Sequence, residues 1–444
     1  MNLKGILAGL GLLFGIGLAG ASALMIAKEY NTQLGETADG VWGQTAETLL
    51  GTGDMRSVSI GSDEQVAKLK AADEALRAQL IEQQRAREAE RAAAEAEKAK
   101  RIAEAEKPWP LELCENRGRP GIKLPNSCFD VEDEKLTLEG RTLNLLDDFG
   151  DFKAIKHLKL AKGNIDNLAT LAAFPNLESL SLIRLQVKDA AQLYRLSGLK
   201  MLTLRDTNLT DLTQLASLTA LERLNLGAAE AENLSPLQDL PNLRHLDLSG
   251  TGIFEISSMR SLSKLQKLDI SNTNLSDISS LSQLVGLEEL SLSRSKVQDL
   301  SAVATLTKLK TLKFGDTNVS DLTPIANLIL LSNLDARRTN VNNIAPLQRL
   351  KQMYFLELEG TLISDISPLS GMERLNALGL ADTLVKDISP LAGLDNLYRL
   401  NLRDTPVEDL STFAQIERLS RVELHGALNA DLSTAPEKFQ KLRK

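Results

Sequence analysis

The side chains best suited to catalysis in this sequence are three histidines that lie far apart. His157, His245 and His425 are separated by about four and eight units of a 22-residue period, so even the nearest pair would lie ~19 Å apart along a sheet with one strand per unit. The sequence has no phosphate-binding glycine loop, no G-x-S-x-G nucleophile turn and no H-E-x-x-H zinc motif. We therefore expect a protein without enzymatic activity, metal site or cofactor.

The two cysteines, Cys114 and Cys128, stand shortly before the first repeat, with proline and glycine between them. In an exported chain this position predicts a disulfide that holds an N-terminal cap over the first open strand. Free buried thiols are the alternative. Metal or redox chemistry is disfavoured because there is no C-x-x-C motif and no histidine nearby.

An apolar residue returns every 22 residues and defines the unit that must position these side chains. The series is Ile155, Leu177, Leu199, Leu221, Leu243, Leu265, Leu287, Leu309, Leu331, Met353, Leu375, Leu397 and Leu419. Within a unit, the pattern L-x-x-L-x-L alternates as a short half-buried strand does. Pairs such as Ser367-Pro368 then predict a helical turn, with the hydroxyl residue as N-cap and proline at the first helical position. Such units must stack and share one core.

An acidic or amide residue occupies position 13 of the units, counting the series above as position 1. These residues are Asp189, Asp211, Asn233, Glu255, Asp277, Asp299, Asp321, Asn343, Asp365, Asp387 and Asp409. A row of carboxylates could suggest calcium. Because Asp before a helical turn is more often a backbone cap, we expect capping.

The period and apolar positions of residues 133–444 resemble those of the leucine-rich repeat superfamily, most closely the short 22-residue class of bacterial internalins and eukaryotic phosphatase regulators. This resemblance implies an α/β solenoid, a horseshoe with a parallel concave sheet of about 14 strands. The family usually has Asn at position 9, where this sequence has Thr, as at Thr317 and Thr339. A threonine column still offers one donor per turn.

The segments before the repeats predict export and display. Residues 1–27 include a long uncharged run and predict a signal anchor or a signal peptide, with the rest of the chain outside the cytoplasm. Residues 28–61 are a connector. Residues 62–107, rich in Ala, Glu, Lys and Arg, predict a long charged helix that is either a spacer or an oligomerising coiled coil. Residues 108–132 form the cap with the cysteine pair.

The overall charge argues against a nucleic-acid partner. The formal net charge is −8, whereas a nucleic-acid binder would present a concentrated basic field. With 43% hydrophobic but only 4% aromatic residues, the chain can bury a sizeable core built from leucine.

The residues free to bind a partner are those at positions 3, 5, 7 and 8, which should point to the concave face. Phe355 is an aromatic residue among charges, as in a protein-binding hot spot. The candidate site comprises Asp335, Arg337, Phe355, Glu357 and Glu359. A second, basic patch comprises Arg184, Arg205 and Arg223. The alternative is that the charges only neutralise one another, Lys313 with Asp335 and Arg337 with Glu359.

We therefore expect a non-enzymatic protein-binding scaffold that displays its repeats on a helical stalk. Its location would be extracytoplasmic, either anchored in the inner membrane on the periplasmic side or secreted. The alternatives are a structural cell-envelope component that forms homo-oligomers through residues 62–107, and an internalin-like adhesin, which rests on resemblance alone. A cytoplasmic phosphatase regulator is disfavoured by the N-terminal segment.

Overall fold

The computed structural model describes residues 81–83, 85–98, 100, 110–116, 119–230, 233–427 and 430–439. The chain divides into two units, residues 1–104 and 105–444. The predicted signal anchor or signal peptide (1–27) and the connector (28–61) lie outside the described residues and stay predictions.

In the first unit, residues 81–83, 85–98 and 100 are helical, and their side chains are exposed. This agrees with a composition whose residues favour helix without needing an apolar face. The predicted extent of this helix, 62–107, and its role as a spacer or coiled coil stay predictions. None of the helices in the described part of the chain combines the length and the apolarity that a membrane crossing requires.

The second unit begins with a small antiparallel sheet. Its strands, in spatial order, are β1 (Leu113–Asn116), β2 (Arg119–Leu124) and β3 (Ser127–Asp130). A disulfide joins Cys114 on β1 to Cys128 on β3, with Cα atoms 5.9 Å apart. Gly121 on β2 makes room for this arrangement, because a Cβ there would overlap the carbonyl oxygen of Phe129. The predicted disulfide is therefore confirmed.

This small sheet packs on the first repeat through phenylalanine rings. The ring of Phe129 lies 5.2 Å from that of Phe149 and 5.8 Å from that of Phe152. Ile122 and Leu124 are buried in the same core. The sheet thereby covers apolar side chains that have no preceding repeat to pack against.

The repeats form one parallel sheet of 14 strands, which confirms the predicted number. The strands are β4 (Lys135–Glu139), β5 (His157–Asn167), β6 (Ser179–Asp189), β7 (Met201–Thr207), β8 (Arg223–Asn225), β9 (His245–Asp247), β10 (Lys267–Asp269), β11 (Glu289–Ser291), β12 (Thr311–Lys313), β13 (Asn333–Asp335), β14 (Phe355–Glu357), β15 (Ala377–Gly379), β16 (Arg399–Asn401) and β17 (Arg421–Glu423). Equal repeat positions pair, as Leu334 does with Leu312 and Leu356.

The core is continuous from repeat to repeat. In the unit that begins at Leu309, the side chains of Leu309, Leu312, Phe314 and Val319 are fully buried. Their counterparts in neighbouring units belong to the same hydrophobic cluster. No single unit could bury this many apolar side chains alone, so stacking is what stabilises each of them.

The helical turns are short 3-10 segments. They are Gly140–Phe149, Ala169–Ala173, Leu193–Arg195, Thr213–Ser217, Ser235–Asp239, Ser257–Ser261, Ser279–Gln283, Ser301–Thr305, Thr323–Ile325, Ala345–Arg349, Ser367–Leu369, Ser389–Leu391, Ser411–Gln415, Leu432–Thr434 and Glu437–Phe439. The prediction that the hydroxyl before proline is the N-cap is wrong by one residue. Ser367 is the first residue of its turn, and Ile366 precedes it without a capping side chain.

The cap comes instead from position 13. Oδ1 of Asp299 accepts a hydrogen bond from the backbone N–H of Ser301 at 2.8 Å, and Asn343 does the same for Ala345 at 2.9 Å. Hydrogen bonds from the hydroxyl and N–H of Ser301 lower the pKa of Asp299. The predicted capping role of this column is therefore confirmed. Glu255 differs, since it accepts only from the hydroxyl of Ser257.

The threonine column serves the turn within its own repeat. The buried hydroxyl of Thr317 donates to the carbonyl oxygen of Phe314 at 2.6 Å, and that of Thr339 donates to Ala336 at 2.7 Å. The preceding position 8 is left-handed, as at Arg338 with φ 52°. This conformation lets the N–H of Arg338 donate to the carbonyl of Glu359 in the next repeat at 2.7 Å.

Candidate protein-binding face

The candidate site lies on the open face, defined here as the side of the 14-stranded sheet that carries positions 3, 5 and 7. Strand β14 shows the alternation: Phe355 is exposed, Leu356 is buried and Glu357 is half-buried. Phe355 pairs with Asn333 on β13 and Ala377 on β15, as its repeat position predicts.

Phe355 is part of an exposed aromatic pair. Its side chain is 45% exposed, and its ring centroid lies 4.7 Å from that of Tyr354, which is 43% exposed. The rings are nearly perpendicular, at 87°, which is a favourable edge-to-face arrangement. Because each ring is held by the other, the pair offers apolar surface at little further cost in conformational entropy.

Arg337 binds an acidic residue of its own repeat. Its Nε donates to Oδ1 of Asp335 at 3.0 Å, and its second guanidinium nitrogen donates to Oδ2 at 2.8 Å. This bidentate hydrogen bonding raises the pKa of Arg337. The alternative prediction, that Arg337 pairs with Glu359, is therefore wrong, because the hydrogen-bonding partner of Arg337 is Asp335. Among the described residues, Lys313 on the neighbouring strand β12 makes no ion pair with Asp335.

Glu357 lies across the next strand rather than pointing straight out. A Cβ on Gly379 of β15 would overlap Oε2 of this carboxylate. The residues beside Gly379 on the same face, Ala377 and Ala381, are also small, and both are buried. Because these positions of the repeat that contains β15 carry no long side chains, side chains from the preceding repeat can lie over them.

Glu359 reaches over the same small residues to a strand two repeats away. Its Oε1 accepts a hydrogen bond from Nδ2 of Asn401 at 2.8 Å. Asn401 is buried, and its Oδ1 in turn accepts from the backbone N–H of Arg403 at 3.1 Å. The small side chains of β15 thus allow one hydrogen-bond network to span three strands.

The negative charge of the Glu357 carboxylate is only weakly balanced by nearby positive charge. Burial raises its pKa, and the nearby negative charge of Glu359 raises it further. Arg337 opposes this shift, but its guanidinium is bound to Asp335. Within the part of the chain that the structure describes, Glu357 forms no salt bridge.

Acids and amides at position 5 also cap the ends of their own strands. Oδ1 of Asp335 accepts from the N–H of Arg337 at 3.1 Å, two residues later. The same contact is made by Asp247 with Ser249 and by Asp269 with Ser271, each at 2.9 Å. This backbone role was missed in the sequence, although the recurrence of Asp and Asn at position 5 indicates it.

In the described repeats, the three arginines of the second, basic patch do not contact one another. Arg184 pairs with Asp206, with 3.5 Å between nitrogen and oxygen. Arg205 lies opposite Ile183 on the sheet, and Arg223 lies beside His245. Burial and the positive charge of Arg223 lower the pKa of His245. The three arginines occupy repeat positions 8, 7 and 3, which explains their separation.

A shallow polar depression of about 330 Å³ lies beside the candidate site. It is lined by Ser271, Asn272, Ser291, Ser293, Arg294, Gly315, Asp316, Asp335, Arg337 and Arg338. Its floor is low because several position-5 and position-7 side chains are serine or glycine. Arg338 closes one side by pairing with Asp316.

Comparison with known families identifies the repeat. A family model described as "Leucine Rich repeats (2 copies)" matches residues 241–283 and 263–305. This chain is a leucine-rich repeat protein. The matches fall in the middle of the 14-stranded sheet, over β9, β10 and β11.

Solved structures share the fold of this leucine-rich repeat protein. An internalin of Listeria monocytogenes, InlF, is 25% identical over 61% of this chain and 87% of its own, with a TM-score of 0.54. A leucine-rich repeat protein of Leptospira interrogans is 18% identical over 66% of this chain and 81% of its own, with a TM-score of 0.53. The comparison with curated proteins gave no match.

In this leucine-rich repeat protein, the open face carries charged and aromatic side chains around Phe355. The described residues contain no cluster of His, Cys, Asp and Glu arranged to hold a metal ion. What they do contain near Phe355 is exposed aromatic surface beside carboxylates and a guanidinium. Sequence reasoning missed Tyr354, whose position directly before Phe355 was the available signal, and Asn401, whose role depends on the small residues of β15.

Proposed function

We propose that this leucine-rich repeat protein is a non-enzymatic scaffold that binds a protein partner through its open face, centred on Phe355. The observation that carries the proposal is the Tyr354–Phe355 pair, in which two contacting aromatic rings are both more than 40% exposed. Aromatic anchors ringed by charged residues are typical of binding hot spots. Asp335, Arg337, Glu357 and Glu359 form that ring.

We further propose that the repeats are displayed outside the cytoplasm. The disulfide between Cys114 and Cys128 supports this, because disulfides persist in oxidising compartments. The similarity to the internalin InlF also supports it. In this proposal residues 1–27 are a signal anchor or signal peptide, and residues 62–107 are the stalk.

Capture of partners by the full-length chain tests the binding proposal. The chain would be cross-linked in an envelope extract of its own organism, and bound proteins would be compared between wild type and the variant Phe355→Ala with Arg337→Glu. We expect the variant to lose the captured partner. Phe254→Ala is the matched control, because Phe254 is 70% exposed but lies at position 12, away from the open face. Capture that is equal in wild type and both variants would refute the proposal.

A further inference from the structure

Two exposed leucines stand on the repeat that carries Phe355 and on the repeat that follows it. Leu362 and Leu384 occupy position 10 of adjacent units and are 53% and 57% exposed. The preceding units hold smaller or polar residues in this column: Asn208, Gly252, Asn274, Lys296, Asn318 and Asn340. Isolated exposed leucines are common, but a pair on neighbouring repeats forms one apolar strip.

The leucine strip lies beyond the ends of β14 and β15, past the left-handed residues Gly360 and Asp382, whereas Phe355 begins β14. Phe355 is at position 3 and Leu362 is at position 10 of one unit, with Glu357 and Glu359 between them. The repeats that carry the proposed binding residues therefore offer two apolar contacts with a polar stretch between them.

The polar stretch carries a net negative charge, because its cations are paired with acidic residues of the same chain. Arg337 is held by Asp335, Arg399 pairs with Glu423 at 3.2 Å, and Arg403 pairs with Asp404 at 3.2 Å. These cations are therefore already neutralised within the chain. The remaining charges between the two apolar ends are carboxylates, as follows: Glu357, Glu359 and, in the next repeat, Asp382. Within the described repeats, these three make no salt bridge.

We infer that the occupant of this face is an extended, basic segment of a partner protein, with a lysine or arginine between two apolar residues. The segment lies along β14 and β15, with one apolar side chain against Tyr354 and Phe355 and the other against Leu362 and Leu384. Its cation meets the carboxylates of Glu357 and Glu359. Charge complementarity selects this occupant over a second copy of the same face, which would set carboxylates against carboxylates. The inference rests on the proposed function.

Selection of peptides from a random displayed library by the full-length chain tests this inference. We expect enriched peptides with one Arg or Lys flanked by apolar residues. Affinities of the enriched peptides would be measured on three variants: Phe355→Ala, Glu357→Gln with Glu359→Gln, and Leu362→Asn with Leu384→Asn. Asparagine is the residue that other repeats carry in this column, so the fold should tolerate it. Each variant should weaken binding by about tenfold or more.

The outcomes separate the inference from the proposed function. Peptides that need Phe355 but are not basic, or that bind the glutamine variant equally well, would overturn the inference and leave the binding face intact. Peptides that ignore all three variants, or no enrichment at all, would count against both. Replacement of the peptide arginine by neutral citrulline removes the same charge from the other side. It should also reduce affinity by about tenfold, even if a protein variant is poorly folded.

Discussion

Arg337 binds both carboxylate oxygens of Asp335, two residues earlier at the end of β13, at 3.0 and 2.8 Å. Because this guanidinium is occupied, it does not form an ion pair with Glu357 or Glu359, although its charge still lowers the pKa of Glu357. The ion pair between Arg337 and Asp335 therefore determines which charged groups of the open face are available to a partner. The positive charge is used internally, and the negative charge is left over.

Replacement of Asp335 by Asn should release Arg337 without uncapping the strand. Asn at position 5 still accepts the N–H two residues later, as Asn401 does for Arg403 at 3.1 Å. We expect the pKa of Glu357 to fall, because one negative neighbour is removed and Arg337 becomes free. The free energy of unfolding should change by no more than about 1 kcal/mol, as for a partly exposed ion pair. Carboxyl NMR titration would check this, and an unchanged pKa would contradict it.

Replacement of Glu357 by Gln should stabilise the free protein at neutral pH. The folded-state pKa of Glu357 is raised, so its ionisation opposes folding as pH rises from the usual value of 4.5 through the folded pKa. Below pH 4.5 both states are protonated, and wild type and variant should converge. Urea denaturation at pH 4 and pH 7 would measure this difference. A variant that is less stable at pH 7 would show that the carboxylate has a structural partner.

Removal of a position-13 cap should destabilise the repeat in a pH-dependent manner. Asp299→Ala loses the acceptor for the N–H of Ser301, whereas Asp299→Asn keeps it, as Asn343 does for Ala345. We expect a lower Tm for the alanine variant and a near-native Tm for the asparagine variant. The pKa of Asp299 is lowered, so its stabilisation is present above pH 3.8 and is lost as pH falls through the folded pKa. Equal Tm values for both variants would contradict the capping role.

Reduction of the disulfide should loosen the N-terminal cap. The cysteines are 14 residues apart, and closing a loop of this size is worth about 3 kcal/mol in the chain-entropy treatment. Urea denaturation with and without dithiothreitol would measure the loss. The variant with Cys114→Ser and Cys128→Ser should start at the reduced value and show no further response. Amide exchange should increase first in β1–β3, since Phe129 anchors this sheet to Phe149.

The repeat architecture was predictable from sequence because its signals recur in every unit. The leucine spacing predicts the strands and the core, and the Asp and Asn column predicts the caps. The contacts of Arg337, Glu357 and Glu359 were not predictable in the same way. They depend on the direction in which each side chain leans, and for Glu357 and Glu359 this follows from the absence of a side chain at Gly379 on β15. The prediction that Ser367 is the N-cap was wrong because the side chain of Asp365 accepts a hydrogen bond from the N–H of Ser367 itself.

Replacement of Gly379 by Ala tests whether this leaning sets the electrostatics of the site. A Cβ at this position would overlap Oε2 of Glu357, so the carboxylate must move toward solvent. Greater hydration should lower the pKa of Glu357 toward 4.5. Gly252→Ala is the matched control, because no atom lies within 4 Å of a Cβ there and the pKa of Glu357 should stay unchanged. Carboxyl NMR titration of both variants distinguishes the cases. A raised pKa that persists in Gly379→Ala would mean that repulsion from Glu359, rather than burial over β15, is its main cause.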